Sequence, residues 1–240
     1  RINWSTSINF RWGKGYYDKI GQNLDQINRE NLTKNMERYY DGASTTSLWS
    51  VRSAGIDPAT GREIFLRKDG SYTYDYSYNE QVEVGDTRPT LEGVFGNVLY
   101  YKGFSCSVQL RYSFGADAFN STLYNKVENI SQEGLKNNQD RRALYDRWKK
   151  PGDKAKFKAI SLTEQTPISS RFVARERTFS CESITVNYES HALWLKQAGI
   201  SSLTFSASTS DIFRLSTVKN ERGLDFPFQR SVNFSIGIGF

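Results

Sequence analysis

Five stretches of the chain alternate apolar and polar residues with a period of two, which is typical of a β-strand with two chemically different faces. These stretches are residues 2–12, 104–114, 183–188, 203–208 and 232–240. A sixth apolar stretch, about residues 90–101, alternates less regularly because Asn97 and Glu92 interrupt its two faces. The pattern therefore predicts an all-β chain with six main strands.

The length of these strands and the character of their polar faces narrow the fold class. Several run for about 10 residues or more, whereas strands of soluble proteins average about 5–6 residues. Their polar positions are mostly Ser, Asn, Thr and Gln rather than Lys and Glu. A tilted membrane strand needs about 9–11 residues, apolar toward lipid and polar toward the lumen. We therefore expect antiparallel strands of a transmembrane β-barrel, with a large β-sandwich as the alternative.

The connections between strands alternate in length. The strands around 90–101 and 104–114 are joined by Lys102-Gly103 alone, and those near 188 and 200 by a short segment. The other connections, about 14–89, 119–169 and 211–226, are long. Outer-membrane barrels have short periplasmic turns and longer extracellular loops. With the C-terminus on the periplasmic side, all the long connections lie outside, so we expect 14–89 and 119–169 to be extracellular loops.

Local signals also predict some structure inside the long loops. The segments Glu63–Leu66 and Tyr72–Tyr74 flank Lys68-Asp69-Gly70, and an Asp-Gly turn between two such segments predicts a hairpin. A helix is expected over 140–148, before Pro151-Gly152.

Composition excludes several classes of protein. The chain has 240 residues, is 38% hydrophobic and 14% aromatic, and carries a net charge of +6. No stretch approaches the ~18 apolar residues of a membrane-spanning helix, which excludes a helical membrane protein. Disordered chains are poor in aromatic residues, so the aromatic content indicates a folded chain. The excess of positive charge is mild and lies mostly in residues 133–158, without a recognisable nucleic-acid module, so we expect no nucleic-acid partner.

The residues that usually carry catalysis are sparse. The chain has one His, His191, and two Cys, Cys106 and Cys181, and none stands in a triad or metal-binding spacing. We therefore expect no catalytic residue, no metal, no cofactor and no enzymatic activity.

The end of the chain carries a distinctive pattern. Phe234, Ile236 and Ile238 alternate with small residues up to the terminal Phe240. A terminal Phe on the apolar face of an alternating last strand is the signal that outer-membrane barrels present to their insertion machinery. We interpret these four residues as a barrel-insertion signal.

Candidate ligand or partner contacts come from the loops. Tyr72, Tyr74, Tyr76 and Tyr78 repeat at a period of two, so on a hairpin they would form one face able to stack on sugar rings or to pack on neighbouring loops. Arg147 and Trp148, within the basic segment, are further candidates for contact with a ligand or partner.

An ordered set of short motifs resembles a known family. The chain resembles the C-terminal part of SusC/RagA-type TonB-dependent outer-membrane transporters, and the resemblance extends from Ile2 to Phe240. Its motifs are Gly55–Gly61 (GIDPATG), Val84–Thr90, Tyr101–Ser105 (YKGFS), Tyr112–Gly115, Arg147-Trp148 followed by Pro151–Asp153 (PGD), Ser170–Val173, and the terminal Phe240.

The resemblance implies that residues 1–240 are the C-terminal part of one barrel domain, about the last six strands of 22. It implies a plug domain outside this chain, on which TonB acts, and a multi-pass location in the bacterial outer membrane. It further implies import of oligosaccharides or peptides together with a SusD-like surface lipoprotein. Closed membrane barrels begin at about 8 strands, so we expect these residues to form an arc of a larger wall.

Two alternatives belong to other classes. One is a soluble or surface-anchored β-sandwich that binds glycans through the Tyr72–Tyr78 face. The other is a small barrel enzyme, which would need a catalytic cluster that the sequence does not display.

Overall fold

A computed structural model describes residues 2–33, 36–136, 139–218 and 231–240. Its ten strands, in chain order, are β1 (Ile2–Trp12), β2 (Ser47–Ile56), β3 (Glu63–Leu66), β4 (Tyr72–Thr73), β5 (Gln81–Asp86), β6 (Leu91–Tyr101), β7 (Phe104–Phe119), β8 (Val173–Ser190), β9 (Ser202–Ser216) and β10 (Val232–Gly239). The short α-helices are α1 (Asp25–Glu30), α2 (Arg142–Tyr145) and α3 (Leu193–Gln197). Single turns of 3-10 helix lie at Asn31–Thr33, Tyr78–Glu80, Gly134–Lys136 and Ser170–Phe172, and a π-helical turn lies at Leu123–Glu128.

The chain divides into two compact units. The first consists of the described residues of 1–13, 89–115 and 176–240, and the second of those of 14–88 and 116–175. The second unit nearly coincides with the two long connections, 14–89 and 119–169, that the sequence pattern separates from the main strands. That all 240 residues form one barrel domain with these two segments outside the membrane stays a prediction.

The first unit is built on a six-stranded antiparallel sheet. Its order is β1-β6-β7-β8-β9-β10, so that β1 and β10 are its edges in the described part of the chain. All six predicted strands are present, and the predicted antiparallel all-β class is confirmed. β8 and β9 are longer than predicted because the stretch Thr178–Cys181 of β8 also pairs with Phe213–Ser216 of β9, beyond the two alternating stretches. Of the predicted connection 211–226, β9 occupies the first part and residues 219–226 lie outside the described residues.

The predicted two-residue hairpin joins β6 to β7. Tyr101 pairs with Phe104, and Lys102 and Gly103 both have positive φ, 45° and 85°. Two consecutive positive φ values give the turn whose twist matches that of the flanking strands. The short turn fixes the β6–β7 register over the full length of β6.

Strand register places the apolar residues of β1 and β7 on one side of the sheet, together with Leu91, Phe95, Leu99 and Tyr101 of β6, while Val94, Val98 and Tyr100 lie on the other side. The paired rows run from Ile2–Tyr101–Phe104 at one end to Trp12–Leu91–Phe114 at the other. At β10, Ile236 lies opposite Phe205 and Ile238 opposite Leu203. A one-residue slip would move every apolar side chain to the other face, so this register depends on the alternation in the sequence.

Asn97, which interrupts the apolar face of β6, is satisfied within that face. Its Oδ1 accepts hydrogen bonds from the Thr6 hydroxyl at 2.9 Å and from the Trp4 indole N–H at 3.2 Å. Glu92 lies on the other face of the sheet and pairs with Arg11 of β1, with 3.8 Å between their charged groups. Neither residue therefore interrupts the pairing of β1 with β6.

The second unit has its own sheet and its own core. The sheet order is β4-β3-β2-β5, and β3 and β4 form the predicted hairpin, with Phe65 opposite Thr73. Buried hydrophobic residues of this unit include Leu48, Val51, Ile56, Phe65, Val127, Ile130, Ala143, Phe157 and Phe172. The helix predicted over 140–148 is only α2, because Asp146 and Trp148 bond instead to the backbone around Phe157.

The ends of the 14–88 segment are held together inside the second unit. The Gly15 carbonyl accepts from the amide of Thr45 at 3.1 Å, and the Thr46 carbonyl accepts from the amide of Thr87 at 3.0 Å. Lys14 Nζ lies 3.9 Å from the buried Asp86 carboxylate.

Among the described residues, no helix is both long and apolar enough to cross a membrane.

Gly93, on the apolar side of the first sheet, is a residue at which we expect even a small side chain to destabilise the protein. It lies between Phe10 and Tyr112, and the Tyr112 hydroxyl crosses it to donate to the Asn9 carbonyl at 3.1 Å. A Cβ at residue 93 would collide with that carbonyl and approach the Tyr112 hydroxyl to 2.5 Å. We expect Gly93→Ala to destabilise the protein by about 1–3 kcal/mol, the usual cost of overpacking, measured by thermal unfolding followed by circular dichroism.

Gly237→Ala is the matched control in the same sheet. A Cβ there meets only the Thr204 Cβ, at 3.7 Å, an ordinary contact. Its unfolding midpoint should stay at or slightly above that of the wild type, because Ala restricts the unfolded chain more than Gly does. Equal losses in the two variants would contradict the close approach at Gly93.

Candidate ligand-binding site

The four tyrosines of the 72–78 repeat do not form one face, so that expectation is wrong. β4 ends at Thr73, and the chain between Tyr74 and Ser77 is irregular. Tyr72 is 71% exposed, Tyr74 bonds to the turn after β2, and Tyr76 packs edge-on against Phe65 with ring centroids 5.3 Å apart. A period of two places side chains on one face only while the backbone stays extended.

Asp57 organises the turn that follows β2. Its carboxylate accepts from the amide of Ala59 at 2.9 Å, the hydroxyl of Thr60 at 2.7 Å and the hydroxyl of Tyr74 at 2.8 Å. The Thr60 hydroxyl and then the Ala59 amide lower the pKa of Asp57. The Arg62 guanidinium lies 4.9 Å from the centre of the Tyr74 ring. These contacts use the hydroxyl and one face of Tyr74 within the protein.

Two motifs on which the family resemblance rests are in direct contact. The Trp148 indole N–H donates to the Pro58 carbonyl at 2.9 Å, and the Gly152 amide donates to the same oxygen at 2.8 Å. Gly61, at φ 72°, lies under the Trp148 ring. The GIDPATG segment and the Trp148–PGD segment are thus two halves of one packing unit, and Trp148 has a structural role in it.

Arg147 is buried rather than displayed, with 4% of its surface exposed. Its guanidinium donates to the carbonyl oxygens of Ala143 at 2.7 Å, Lys158 at 2.9 Å and Glu128 at 2.9 Å, and also to that of Val127. Burial lowers the pKa of Arg147. The side chain holds three backbone segments together, at residues 127–128, 143 and 158. Contact of Arg147, Trp148 or the tyrosines with a ligand or partner stays a prediction.

A buried ionic cluster, not foreseen from the sequence, joins β3 to the 124–171 region. Arg171 bonds to Glu63 at 2.9 Å and to Glu128 at 2.9 Å, and both carboxylate side chains are at most 2% exposed. The hydroxyls of Ser169 and Thr166 also donate to these carboxylates, at 2.6 and 3.1 Å. Burial alone would lower the pKa of Arg171, but the bonds to the two glutamates outweigh it and raise the pKa.

A cleft of about 350 Å³ lies next to these groups in the second unit. We call it the aromatic cleft. Its lining residues are Leu32, Thr33, Met36, Trp49, Ser50, Tyr76, Tyr78, Gln81, Tyr124, Gln165, Thr166, Pro167 and Ile168. They come from five separate segments of the chain. The tyrosine repeat was therefore the only sequence pattern that indicated residues of the cleft, and no local spacing indicated Trp49, Tyr124 or Gln165.

Tyrosine hydroxyls and rings shape the wall of the aromatic cleft. Tyr76 donates to the Ile168 carbonyl at 3.1 Å and stands at right angles to Tyr78, with 5.1 Å between ring centroids. Burial is the main cause that raises the pKa of Tyr76 to about 12. Tyr124 donates to the Thr166 carbonyl at 2.9 Å, and burial raises its pKa as well. Both hydroxyls therefore stay protonated at neutral pH.

The interpreted insertion signal lies on one exposed face at the end of the chain. Phe234, Ile236, Ile238 and Phe240 are 80, 66, 52 and 92% exposed. On β1, Trp4, Phe10 and Trp12 are 73–76% exposed. The recognition of the four C-terminal residues by an insertion machinery stays a prediction.

Among the described residues, no three His, Cys, Asp or Glu side chains cluster as metal ligands.

Comparison with known proteins gives a result for the fold. No family model and no curated protein sequence matches the chain. Among solved structures, the chain is similar to one described as the RagAB peptide transporter, with a TM-score of 0.67 and 15% identity over 90% of this chain and 24% of that one. It also matches the RagAB peptide importer in its open-open state (TM-score 0.69, 17% identity, 89% and 23% coverage) and its closed-closed state (0.63, 17%, 89% and 24%).

These likenesses show a shared fold. The chain spans about a quarter of the length of the chains that it matches. The expectation that its strands follow those of a transporter of the SusC/RagA type is thus met at the level of fold, by a system described as importing peptides.

The contact between Gly61 and Trp148 predicts a loss of stability in Gly61→Ala. A Cβ there would lie 2.5 Å from the indole ring, in addition to the strain of a side chain at positive φ. Strain alone costs about 1–2 kcal/mol, and we expect a further ~1–3 kcal/mol from overpacking. The readouts are thermal unfolding and hydrogen exchange of the Gly152 amide, which should exchange faster when the two segments separate.

Gly70→Ala separates strain from packing. Gly70 has a similar φ, 88°, but a Cβ there meets nothing within 4 Å. This variant should lose only the strain component and keep the Gly152 amide protected. Identical behaviour of the two variants would contradict the proposed packing of Trp148 on Gly61.

The ionic cluster predicts that Arg171→Met destabilises the second unit by about 3–5 kcal/mol, because two buried carboxylates lose their partner. Chemical unfolding monitored by tryptophan fluorescence measures the loss. Arg62→Met is the control, since Arg62 is 59% exposed and its ion pair spans 4.0 Å, so its loss should cost less than about 1 kcal/mol.

A triple variant tests the cause of the Arg171→Met loss. Adding Glu63→Gln and Glu128→Gln to Arg171→Met removes the stranded charges and should recover part of the stability. No recovery would indicate that Arg171 acts through packing alone.

Proposed function

We propose that this chain forms part of the wall of a bacterial outer-membrane transporter that imports oligosaccharides or peptides. The observation that carries this proposal is the exposed apolar face of the six-stranded sheet, seen most clearly on its edge strands. On β10, Ile236 is 66% exposed, while its neighbours Ser235 and Gly237 point to the opposite face. Monomeric soluble proteins rarely expose apolar patches larger than a few hundred Å². Such a face is stable against lipid or against another protein surface, and its length and aromatic ends favour lipid.

The dimensions of the apolar face support a membrane-spanning role. From Ile2 to Trp12 the rows advance by ten residues, about 33 Å at ~3.3 Å per residue. Tilted by about 40°, these strands rise about 25 Å, which is the height of the apolar band of an outer-membrane barrel. The strands are therefore long enough to cross the bilayer at the usual tilt.

Aromatic residues lie at both ends of this face. Tyr101 and Phe104 pair at the turn end, where the Phe104 ring also lies 4.4 Å from that of Tyr188. Trp12 and Phe114 lie at the other end, in the row through Leu91. Aromatic girdles at the two membrane interfaces are typical of outer-membrane barrels.

The likeness to solved structures supports the transport part of the proposal. Those structures are described as a peptide transporter and importer. By the same reasoning we propose a SusD-like surface lipoprotein as the partner, outer-membrane lipid around the strands, and TonB acting on a plug outside this chain. The six strands would belong to a barrel of about 22, and the second unit would lie on the extracellular side. Transport rather than enzymatic activity is the proposed role.

The β-sandwich alternative is less well supported. A sandwich packs the apolar faces of two sheets against each other, whereas Phe10 and Phe234 are 73 and 80% exposed. The Tyr72–Tyr78 face on which that alternative relied does not form.

Membrane fractionation tests the proposal directly. The native protein should remain with the outer membrane after a carbonate wash and should require detergent for release. We expect Ile236→Arg to lower the folded, membrane-inserted fraction strongly, because Arg on the lipid face near the bilayer midplane costs about 2–4 kcal/mol. Recovery of the wild type in the soluble fraction would refute the proposal.

Ser235→Arg is the neighbouring control on the opposite face of β10. It adds the same side chain where the lumen is expected, so its inserted fraction should match that of the wild type. Uptake of labelled oligosaccharide and peptide mixtures by cells lacking the protein should fall, and Ser235→Arg should restore it while Ile236→Arg should not.

A further inference from the structure

A groove of about 390 Å³ lies on the apolar face of β8, β9 and β10, within the first unit. Ala207 is its smallest apolar side chain, and it pairs with Val186 of β8 on one side and with Phe234 of β10 on the other. The groove exists because a single methyl group at residue 207 lies among larger side chains. Its apolar side chains are Val186, Tyr188, Phe205, Ala207, Phe234 and Ile236.

Hydrogen bonds on the opposite face of the sheet hold the floor of this groove in place. Asn187 and Ser206 pair with each other, directly beside the pair of Val186 and Ala207. The Ser206 hydroxyl donates to the Asn187 Oδ1 at 2.5 Å, and the Asn187 Nδ2 donates to the Ser105 hydroxyl of β7 at 3.1 Å. These bonds tie β7, β8 and β9 together beneath the groove, so its shape is present before any ligand enters.

The chemistry of the groove favours a hydrocarbon chain as the ligand. No charged side chain occurs among its described lining residues. Its two serines, Ser206 and Ser235, pair with each other and alternate with the apolar residues, so their side chains point to the opposite face. A hydrocarbon chain leaves no polar group unpaired in such a place, whereas an extended polypeptide would bring backbone N–H and C=O groups without partners.

The width of the groove also excludes a helix as its occupant. Neighbouring strands lie about 4.8 Å apart, so the backbones that carry Val186 and Phe234 are separated by roughly 10 Å across Ala207. The larger side chains of these two strands narrow that space further. A helix with its side chains is about 10–12 Å wide, whereas a single extended acyl chain is much narrower.

The position of the groove along the strands places it within one leaflet of a bilayer. Ala207 lies four residues from Leu203, which pairs with Ile238 near the end of the sheet where the β8–β9 turn lies. Four residues advance about 13 Å at ~3.3 Å per residue. With the tilt of about 40° used above, this is about 10 Å in height, less than half of an apolar band of ~25 Å.

The β8–β9 turn carries residues that are typical of the membrane interface just beyond the groove. Leu193 and Trp194 of α3 are 78 and 61% exposed, and Trp is enriched at the level of lipid headgroups. Lys196 lies in the last turn of the same helix, and a cation there favours an anionic phosphate group. The carboxylate of this turn, Glu189, lies 3.3 Å from the His191 ring.

We propose that this groove holds one acyl chain of a phospholipid in an ordered position, from the leaflet at the β8–β9 turn. The inference rests on the proposed function, in which the apolar face lies against lipid, and it adds one preferred site on that face. Lipid chains along β1, which is outside the groove lining, contact the sheet only in proportion to its exposure.

Photolabelling of the full-length protein in phospholipid nanodiscs tests this site. The nanodiscs contain dioleoyl phosphatidylethanolamine and dioleoyl phosphatidylglycerol. The two probes are phosphatidylethanolamines that carry a diazirine either in the middle or near the end of one acyl chain, so that depth is controlled. Ile236 and Ile8 form a matched pair, at 66 and 63% exposure. With the labelling from both probes summed by mass spectrometry, we expect Ile236 to be labelled at least five-fold more than Ile8.

Three variants locate the ordered chain. Ala207→Phe fills the groove and should lower the labelling of Ile236 to that of Ile8. Val232→Phe adds the same ring to the same face of β10, outside the groove lining, and should leave the labelling unchanged. Phe205→Ala removes one wall and should lower the labelling of Ile236 at least three-fold, so the site stays testable if Ala207→Phe does not insert.

The proposal is overturned if Ile236 and Ile8 are labelled equally in the wild type, or if both Ala207→Phe and Phe205→Ala leave the labelling unchanged. Equal losses in Val232→Phe and Ala207→Phe would also overturn it. Strong but equal labelling of the two isoleucines would refute the groove and leave the proposed transporter wall standing, because lipid would still cover the face. Absence of labelling at both residues would refute the proposed function as well.

Discussion

The pairing of backbone hydrogen bonds across an apolar face is the constraint on which the first unit depends. In the lipid environment that we propose for this sheet, each unpaired N–H or C=O would cost several kcal/mol, so its strands need neighbours that complete their backbone hydrogen bonds. The continuous β1–β6–β7 register does this, and its few polar side chains follow the same rule. Asn97 is bonded by Thr6 and Trp4, and the Tyr112 hydroxyl reaches over Gly93 to a main-chain oxygen. Backbone groups and polar side chains on the apolar face thus both find hydrogen-bond partners within the sheet.

The second unit solves a different problem, that of holding long irregular segments in one arrangement. It uses charged side chains as fasteners. Arg147 bonds to backbone carbonyls of separate segments, and Arg171 bonds to two carboxylates that are far apart in sequence. Buried groups of this kind are costly when incomplete, so they favour a single arrangement of the loops. The aromatic cleft depends on that arrangement, because its wall is assembled from the same segments.

The sequence predicted the features that depend on neighbouring residues along the chain. The six main strands, the Lys102-Gly103 turn and the β3–β4 hairpin follow from alternation and turn chemistry, and all are present. It failed where the outcome depends on contacts between distant residues. The tyrosine repeat was expected to form one face. Instead, the Tyr74 hydroxyl bonds to Asp57, and the Tyr76 ring packs against Phe65. The ionic cluster and the aromatic cleft could not be predicted, because Glu63, Glu128 and Arg171 are ordinary surface residues until the fold brings them together.

The contacts that join the two ends of segment 14–88 bear on the order of assembly. β1 and β6 are adjacent in the sheet although that entire segment separates them, and closing so long a loop has an entropic cost that delays pairing. Gly15 bonds to Thr45, and Thr46 bonds to Thr87, so the segment's own fold brings its entry and exit together. Once the segment has folded, β1 meets β6 as if across a short turn. We therefore infer that segment 14–88 acts as a folding template for β1 and β6, the strands that flank it.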